Sequence, residues 1–270
     1  MTSHVAAFVK DLTLPTMPEV AHELIRSLND DEIPMGKLKD TIAKDPALTV
    51  KLLRLANSAR FGVSREVSNL EDAMAVVGMS QVRTLALSAC LSDAFPVAPG
   101  LNRDAFWRES QACAAYAQWL DSRMGADSQQ AWLSSFMVRL GELMIVQNQP
   151  EALANIEQEP HYPGARWERE ASLLGFTEGQ ITAEMARHWK FPQSIVDALE
   201  SSADPLAMRP FCRLSGVLHL AELLAATTAE TPEDQMAISQ ELLVALHLDR
   251  EWLTTHLAEA RAFAASATVH

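Results

Sequence analysis

The sequence predicts an all-α protein. Three observations carry this: residues that cap helices recur ahead of apolar stripes at helical spacing; Ala, Leu, Met, Glu and Gln are frequent; and there are only 10 glycines and 2 tyrosines in 270 residues, with few strand signals between the stripes.

Taken in order, Thr16 to Glu19 ("TMPE") reads as a capping box, and Val20, Leu24, Ile25 and Leu28 follow as a stripe. "DDEIP" breaks that helix, and a second carries Leu38 and Ile42. "DPALTVKLLRLANSARFG" opens with an Asp cap and a proline at the first helical position, and sets Leu48, Leu52, Leu55 and Ala59 on one face. "SNLE" at Ser68 reads as a further capping box, with Gly78 as the C-terminal cap and Ser80 as the cap of the next helix. "FPVAPGLN" at 95–102 is the best boundary, with two prolines and a glycine. A helix from Asp104 to Leu120 follows, and Glu109 falls on its apolar stripe. One continuous helix is expected from about Gln129 to Gln147. "EPHYPGAR" reads as a loop, and helices are expected over 168–174, 180–189, after Pro192 and over 210–226, with two amphipathic segments closing the chain.

The helix over 129–147 poses a problem. Its centre, "SSFMVRLGELMI" at 134–145, is apolar on almost every side, yet holds Arg139 with Glu142 one turn later. Burying an arginine costs several kcal/mol unless a partner offsets its charge.

Composition narrows the function classes. A net charge of −13 argues against a protein that coats nucleic acid or anionic lipid. The charge is uneven, with seven Lys/Arg against two Asp from Ile33 to Arg65, and eight Asp/Glu against Arg250 alone from Ala221 to Ala260. Cys90, Cys113 and Cys212 have no CxxC spacing, so a disulfide scaffold or thiolate zinc site is not expected. No signal peptide and no apolar run of membrane-spanning length is read, which gives a cytoplasmic expectation with no membrane partner. The eight histidines include no i, i+4 pair, no HExxH and no His-Asp dipeptide, and no P-loop, GxGxxG or GxSxG is present. "SNLEDAMAVVGMSQVRTLALS" has the outline of a helix-turn-helix. Its second helix is too apolar to read base edges, so an ordinary helical hairpin is expected.

"LPTMPEV…LIRSLND", "IAKDPALTVKLLRLANSARFG" and "VSNLEDAMAVVGMSQVRTLALS" together resemble the HDOD family. The resemblance continues through "FWRESQACAAYAQWL" and "GFTEGQITAEMARHWKFPQSIVDAL" to "LHLAELLA", from about Leu14 to Ala226. It implies an N-terminal helical lobe, here 1–100, packed on a helical lobe related to HD-type metal phosphohydrolases, here 101–270. It also implies a regulatory output module rather than an enzyme. In an HD enzyme the helix equivalent to "MVRLG" carries the metal-binding His-Asp pair. The resemblance places Val138 and Arg139 at those positions, Glu109 and Glu178 where ligand histidines would stand, Ser201 and Ser202 at the later histidine cluster, and Glu222 at the final aspartate. Valine cannot coordinate a metal, and a permanent guanidinium repels one.

Three expectations follow. Arg139 is expected to replace the metal's charge and pair with Glu109, Glu222 or both; the bland alternative is an edge residue paired only with Glu142 or solvent. The chain is expected to be a non-catalytic signalling module with no metal and no cofactor, bound to a signalling protein partner. Its candidate contact region is Lys51, Arg54, Asn57, Ser58, Arg60 and Phe61, although Asn57 and Ser58 read at least as well as residues that end their helix through local backbone bonds. The alternatives are an HD-type phosphohydrolase with displaced ligands, and a module whose basic N-terminal lobe binds a small nucleotide or nucleic acid; the nucleic acid is disfavoured.

Overall fold

The apolar stripes fold as helices, and no strand forms among the described residues. The structure, a computed structural model, describes residues 4–10, 12–28, 34–57, 66–95, 100–125, 128–157, 162–226 and 238–267. Two units emerge. One comprises Leu14–Pro96 with His188–Pro192, and the other Met1–Thr13, Val97–Arg187 and Gln193–His270. The division after Pro96 falls in "FPVAPGLN"; the first thirteen residues group with the larger unit rather than with the lobe expected over 1–100.

The smaller unit holds α2 (Glu19–Leu28), α3 (Met35–Ala43), α4 (Pro46–Ala56), α5 (Leu70–Val77) and α6 (Met79–Ala94). Leu24, Ile25, Ile42, Met74, Leu87 and Leu91 are fully buried in it. The expected Asp45 cap is made, its carboxylate accepting from the Leu48 N–H at 3.0 Å. Asn57 ends α4: its side chain donates to the Leu53 and Val67 carbonyls at 2.8 and 2.7 Å and accepts from the Val67 N–H at 2.7 Å.

Three local expectations change here. Pro18, not Thr16, supplies the carbonyl that takes the first bonds of α2, from the Ala21 and His22 N–H groups. Asn69, not Ser68, caps α5, accepting from the Asp72 N–H at 2.8 Å. Gly78, at φ 92°, ends α5 and starts α6 together, so Ser80 lies inside the helix. The left-handed φ there suits glycine. In α6, Val82, Leu85, Ala86 and Leu87 are buried and Arg83 donates to the Ser27 carbonyl at 2.6 Å. That helix is committed to the core and offers no base-reading face.

The larger unit is built around α7 (Arg103–Arg123), against which α8 (Ser128–Met137), α14 (Arg213–Ala226) and α16 (Arg250–Ala267) pack. It also holds α1 (His4–Lys10), α9 (Leu140–Asn148), α10 (Pro150–Ile156), α11 (Ala165–Leu174), most of α12 (Glu178–His188), α13 (Gln193–Glu200) and α15 (Gln240–Ala245). Trp119 and Leu120 of α7, Leu220 and Leu224 of α14 and Leu253 of α16 share one core. Trp107, Phe136 and Trp132 stack in series, with ring centroids 5.5 and 5.2 Å apart.

The single helix expected over 129–147 is two helices, broken at Val138 and Arg139. The break has a local cause. Thr182 of α12 inserts its hydroxyl between the two ends: it accepts from the Gly141 N–H at 2.8 Å and lies 2.9 Å from the Val138 carbonyl. Gly141 permits this approach, because a Cβ there would sit 2.1 Å from the Glu178 carbonyl oxygen. Arg139, at φ −82° and ψ 0°, is thereby turned out of the helical row into a corner.

Candidate functional site

The corner projects Arg139 into an ion cluster. Its guanidinium bonds the Glu109 carboxylate of α7 and, at 2.8 Å, Oε2 of Glu142. The Arg139 side chain is 15 % exposed, and its guanidinium lies 5.5 Å from the Phe106 ring centroid. A second arginine, in the segment expected to be a loop, completes the cluster. "GAR" begins α11 at Ala165, and Arg166 reaches Glu142 at 3.4 Å, Glu170 at 3.0 Å, Glu178 at 3.3 Å and, closer still, Glu157. Glu142 is therefore shared between two guanidinium groups.

The bland alternative for Arg139 is rejected, because Glu109 as well as Glu142 holds it. Of the expected partners, Glu109 holds Arg139 and Glu222 does not: among the described residues the Glu222 carboxyl bonds Trp167, and its Oε1 has no hydrogen-bond partner. Glu178 opens α12 with its backbone N–H donated to Glu170 at 2.8 Å, while neither of its own carboxyl oxygens is hydrogen-bonded.

Burial sorts these carboxyls. Burial raises Glu142, but Arg166 and Arg139 outweigh it and hold Glu142 below the usual carboxylate range. Burial dominates at Glu178 and Glu222 and pushes both up, against Arg166 and Arg139 respectively. Burial and then Glu178 raise Glu170 to about 8, with Arg166 opposing. Cys113, in α7 beside Glu222 and Arg139, is buried and its thiol is pushed far above the range of a nucleophile.

A pH dependence follows from these directions. Between the ordinary carboxylate range near 4.5 and about 8, the folded chain holds a proton on Glu170 that the unfolded chain has lost. Stability should therefore fall as pH rises through that window, by up to about 1.4 kcal/mol per pH unit for one such group. Glu178 and Glu222 act in the same direction. Urea midpoints measured from pH 5 to pH 8 check this, and Glu170→Gln should flatten the slope.

The seven aligned positions separate. Glu109, Arg139, Glu178 and Glu222 line one cleft of about 730 Å³, together with Cys113, Arg166 and Trp167 among others. Val138, Ser201 and Ser202 are not among its described lining residues. The two serines lie behind α12. Ser202 donates to the Leu199 carbonyl at 3.0 Å, its own carbonyl stands 2.7 Å from Nδ1 of His219, and Ser201 contacts Ser215 at 2.9 Å. Gly179 lets this layer close, since a Cβ would meet the Ser202 hydroxyl at 2.4 Å.

Of the other candidate surface, Lys51 pairs with Asp93 at 2.5 Å, Arg54 is exposed, and Asn57 makes the helix-ending bonds described above. Ser58, Arg60 and Phe61 lie outside the described residues. Lys39 and Lys44 are likewise paired, with Glu71 and Glu23. No single helix among the described residues is long and apolar enough to cross a membrane.

The residues do not fit a divalent ion. Among the described residues no three or more His, Cys, Asp or Glu side chains are grouped to hold one. Two guanidinium groups stand among the carboxyls that would have to serve, and they would repel a metal.

The helical fold defines the class: a relative of the HD phosphohydrolases. More particularly, the chain belongs to the HDOD domain family, whose model matches residues 14–205. Glu222 lies beyond that match. A Shewanella amazonensis SB2B protein, named as a candidate phosphohydrolase, superposes with a TM-score of 0.80 at 26 % identity over 99 % of this chain and 97 % of its own. An HDOD domain protein of unknown function from Geobacter sulfurreducens gives 0.80 at 18 % identity, covering 97 % of this chain and 96 % of its own. A Marinobacter aquaeolei VT8 protein, named as a candidate signal-transduction protein, gives 0.80 at 23 % identity over 98 % of this chain and 63 % of its own. An uncharacterised Treponema pallidum protein is 23 % identical over 266 residues, 94 % of this chain; the chain spans about half (51 %) of that relative's length.

Proposed function

We propose that the chain is a non-catalytic regulatory module that acts by binding, its HD-type centre converted from metal coordination to an internal ion cluster. The observation that carries this is Arg139 bonded to Glu109 and Glu142; the family resemblance aligns that arginine with the His-Asp pair. Phosphodiester hydrolysis at an HD-type centre needs ions to polarise phosphate and generate hydroxide. Here the permanent cations Arg139 and Arg166 stand among the carboxyls instead. The name given to the Marinobacter protein agrees with a signalling role; the name given to the Shewanella protein favours hydrolysis and supplies the competing reading.

Protein purified without chelator, assayed for metal content and screened on phosphodiester and nucleotide substrates with added manganese, separates the two. The expected result is neither stoichiometric metal nor turnover above a heat-inactivated control. Turnover abolished by EDTA would establish the hydrolase reading instead.

A further inference from the structure

We infer that the cleft over the ion cluster takes an organic cation, an alkylammonium or guanidinium group, seated between Glu222 and Glu178. This deepens the binding role proposed above and rests on it.

Among the described residues the cleft's charged lining is Glu109, Glu157, Glu178 and Glu222 against Arg139, Arg166 and Arg169. The arginines are engaged. Arg139 holds Glu109 and Glu142, Arg166 contacts four glutamates, and Arg169 donates to the Ile156 carbonyl at 2.9 Å. The unsatisfied atoms are mostly acceptors: both carboxyl oxygens of Glu178, which is 1 % exposed, and Oε1 of Glu222, 8 % exposed, lack a hydrogen bond. The one unbonded donor among these arginines, Nη2 of Arg166, already stands 3.4 Å from Oε1 of Glu142.

Glu178 has only the Arg166 contact at 3.3 Å and Glu222 only its bond from Trp167, so buried acceptor capacity is left over, which a ligand relieves by bringing donors and positive charge together. An anion such as phosphate would meet four carboxyls and find the guanidinium groups taken. A metal ion would meet those same guanidinium groups at close range. A single ammonium or guanidinium group matches what is left over. The volume, about 730 Å³, admits such a group with the chain that bears it, either a small amine or an arginine side chain of a partner.

Binding should release protons. The groups facing Glu222 are Cys113 of α7, Arg139, Trp167 and Glu170 of α11, and Glu178 of α12. Those facing Glu178 are Arg166, Glu142, Arg139, Glu157, Glu170 and Glu222. Burial raises both carboxyls, and an entering cation favours their charged forms, so binding draws protons off them.

The test is calorimetric titration of the full chain with agmatine, with a Gly-Arg-Gly tripeptide and with inorganic phosphate, each in two buffers of different ionisation enthalpy. Saturable binding of agmatine or the tripeptide is expected, releasing up to one proton per carboxyl engaged. It should weaken roughly thirtyfold or more in Glu222→Gln, the low end of what losing one member of a buried charge pair costs. Glu178→Gln, also isosteric with a protonated glutamate, gives a second variant, and circular dichroism confirms folding of both. Saturation by the tripeptide alone assigns the cation to a protein side chain. Binding of neither cation up to millimolar concentration, unchanged affinity in both folded variants, or saturation by phosphate in their place overturns the inference. The metal and turnover results above are untouched by that failure, so the two readings fall separately.

Discussion

Arg166→Leu is expected to destabilise the larger unit by about 3–5 kcal/mol, the usual cost of breaking a buried ion pair from one side. Arg166 contacts four glutamates, and three of them, Glu142, Glu170 and Glu178, are between 0 and 3 % exposed. Removing the guanidinium leaves those carboxyls facing one another with Arg139 as the remaining nearby cation. Part of the loss is recovered when they take up protons, so the destabilisation should grow as pH rises from 5 to 8. A pair on the surface would behave differently, with a loss under about 1 kcal/mol and sensitivity to salt. Urea unfolding at two pH values distinguishes these outcomes. A loss below 1 kcal/mol at both would mean that the cluster does not hold the centre together.

Gly141→Ala carries the other large effect. The added methyl would lie 2.1 Å from the Glu178 carbonyl oxygen and 2.7 Å from its carbon, both backbone atoms that no rotamer change can move aside. The N-terminal ends of α9 and α12 must then separate, which breaks the Thr182 bridge to Gly141 and Val138 and swings Arg139 out of its corner. Overpacking of this kind typically costs 1–3 kcal/mol. The backbone clash and the lost bridge together place the expected value at or above the top of that range. Gly36→Ala is the control, since nothing stands within 4 Å of the Cβ it would carry. Thermal unfolding of both variants reads the difference directly.

Helical class and much of the local punctuation were legible in the sequence because they depend on short-range chemistry. Asp45 caps α4 as its Asp-Pro start implies, and Gly78 takes the left-handed turn between α5 and α6. Arg139 and Glu109 were legible as a pair only by setting the chain beside the HD pattern, which names positions rather than contacts. The helix break was hidden because "MVRLG" has no helix breaker other than glycine; what breaks it is Thr182, more than forty residues away. Arg166 and Glu170 were missed for a similar reason. "ARWEREAS" reads as an exposed, charged helix start after a loop, and only folding places Glu170 against the start of α12 and Arg166 against Glu142. Glu222, conversely, holds the expected place beside the cluster but not the expected bond. The intervening arginine is satisfied by Glu109 and Glu142 together.

Under the proposed function, Arg139 and Arg166 take the place of the metal ions of an HD enzyme. Elemental analysis of protein purified without chelator tests it most directly, before and after incubation with manganese, iron or zinc and gel filtration. The expected result is well under one metal per chain in every case, with Arg166→Leu, not EDTA, as the treatment that unfolds the site. One or two tightly held ions per chain, released by EDTA with loss of stability, would contradict it.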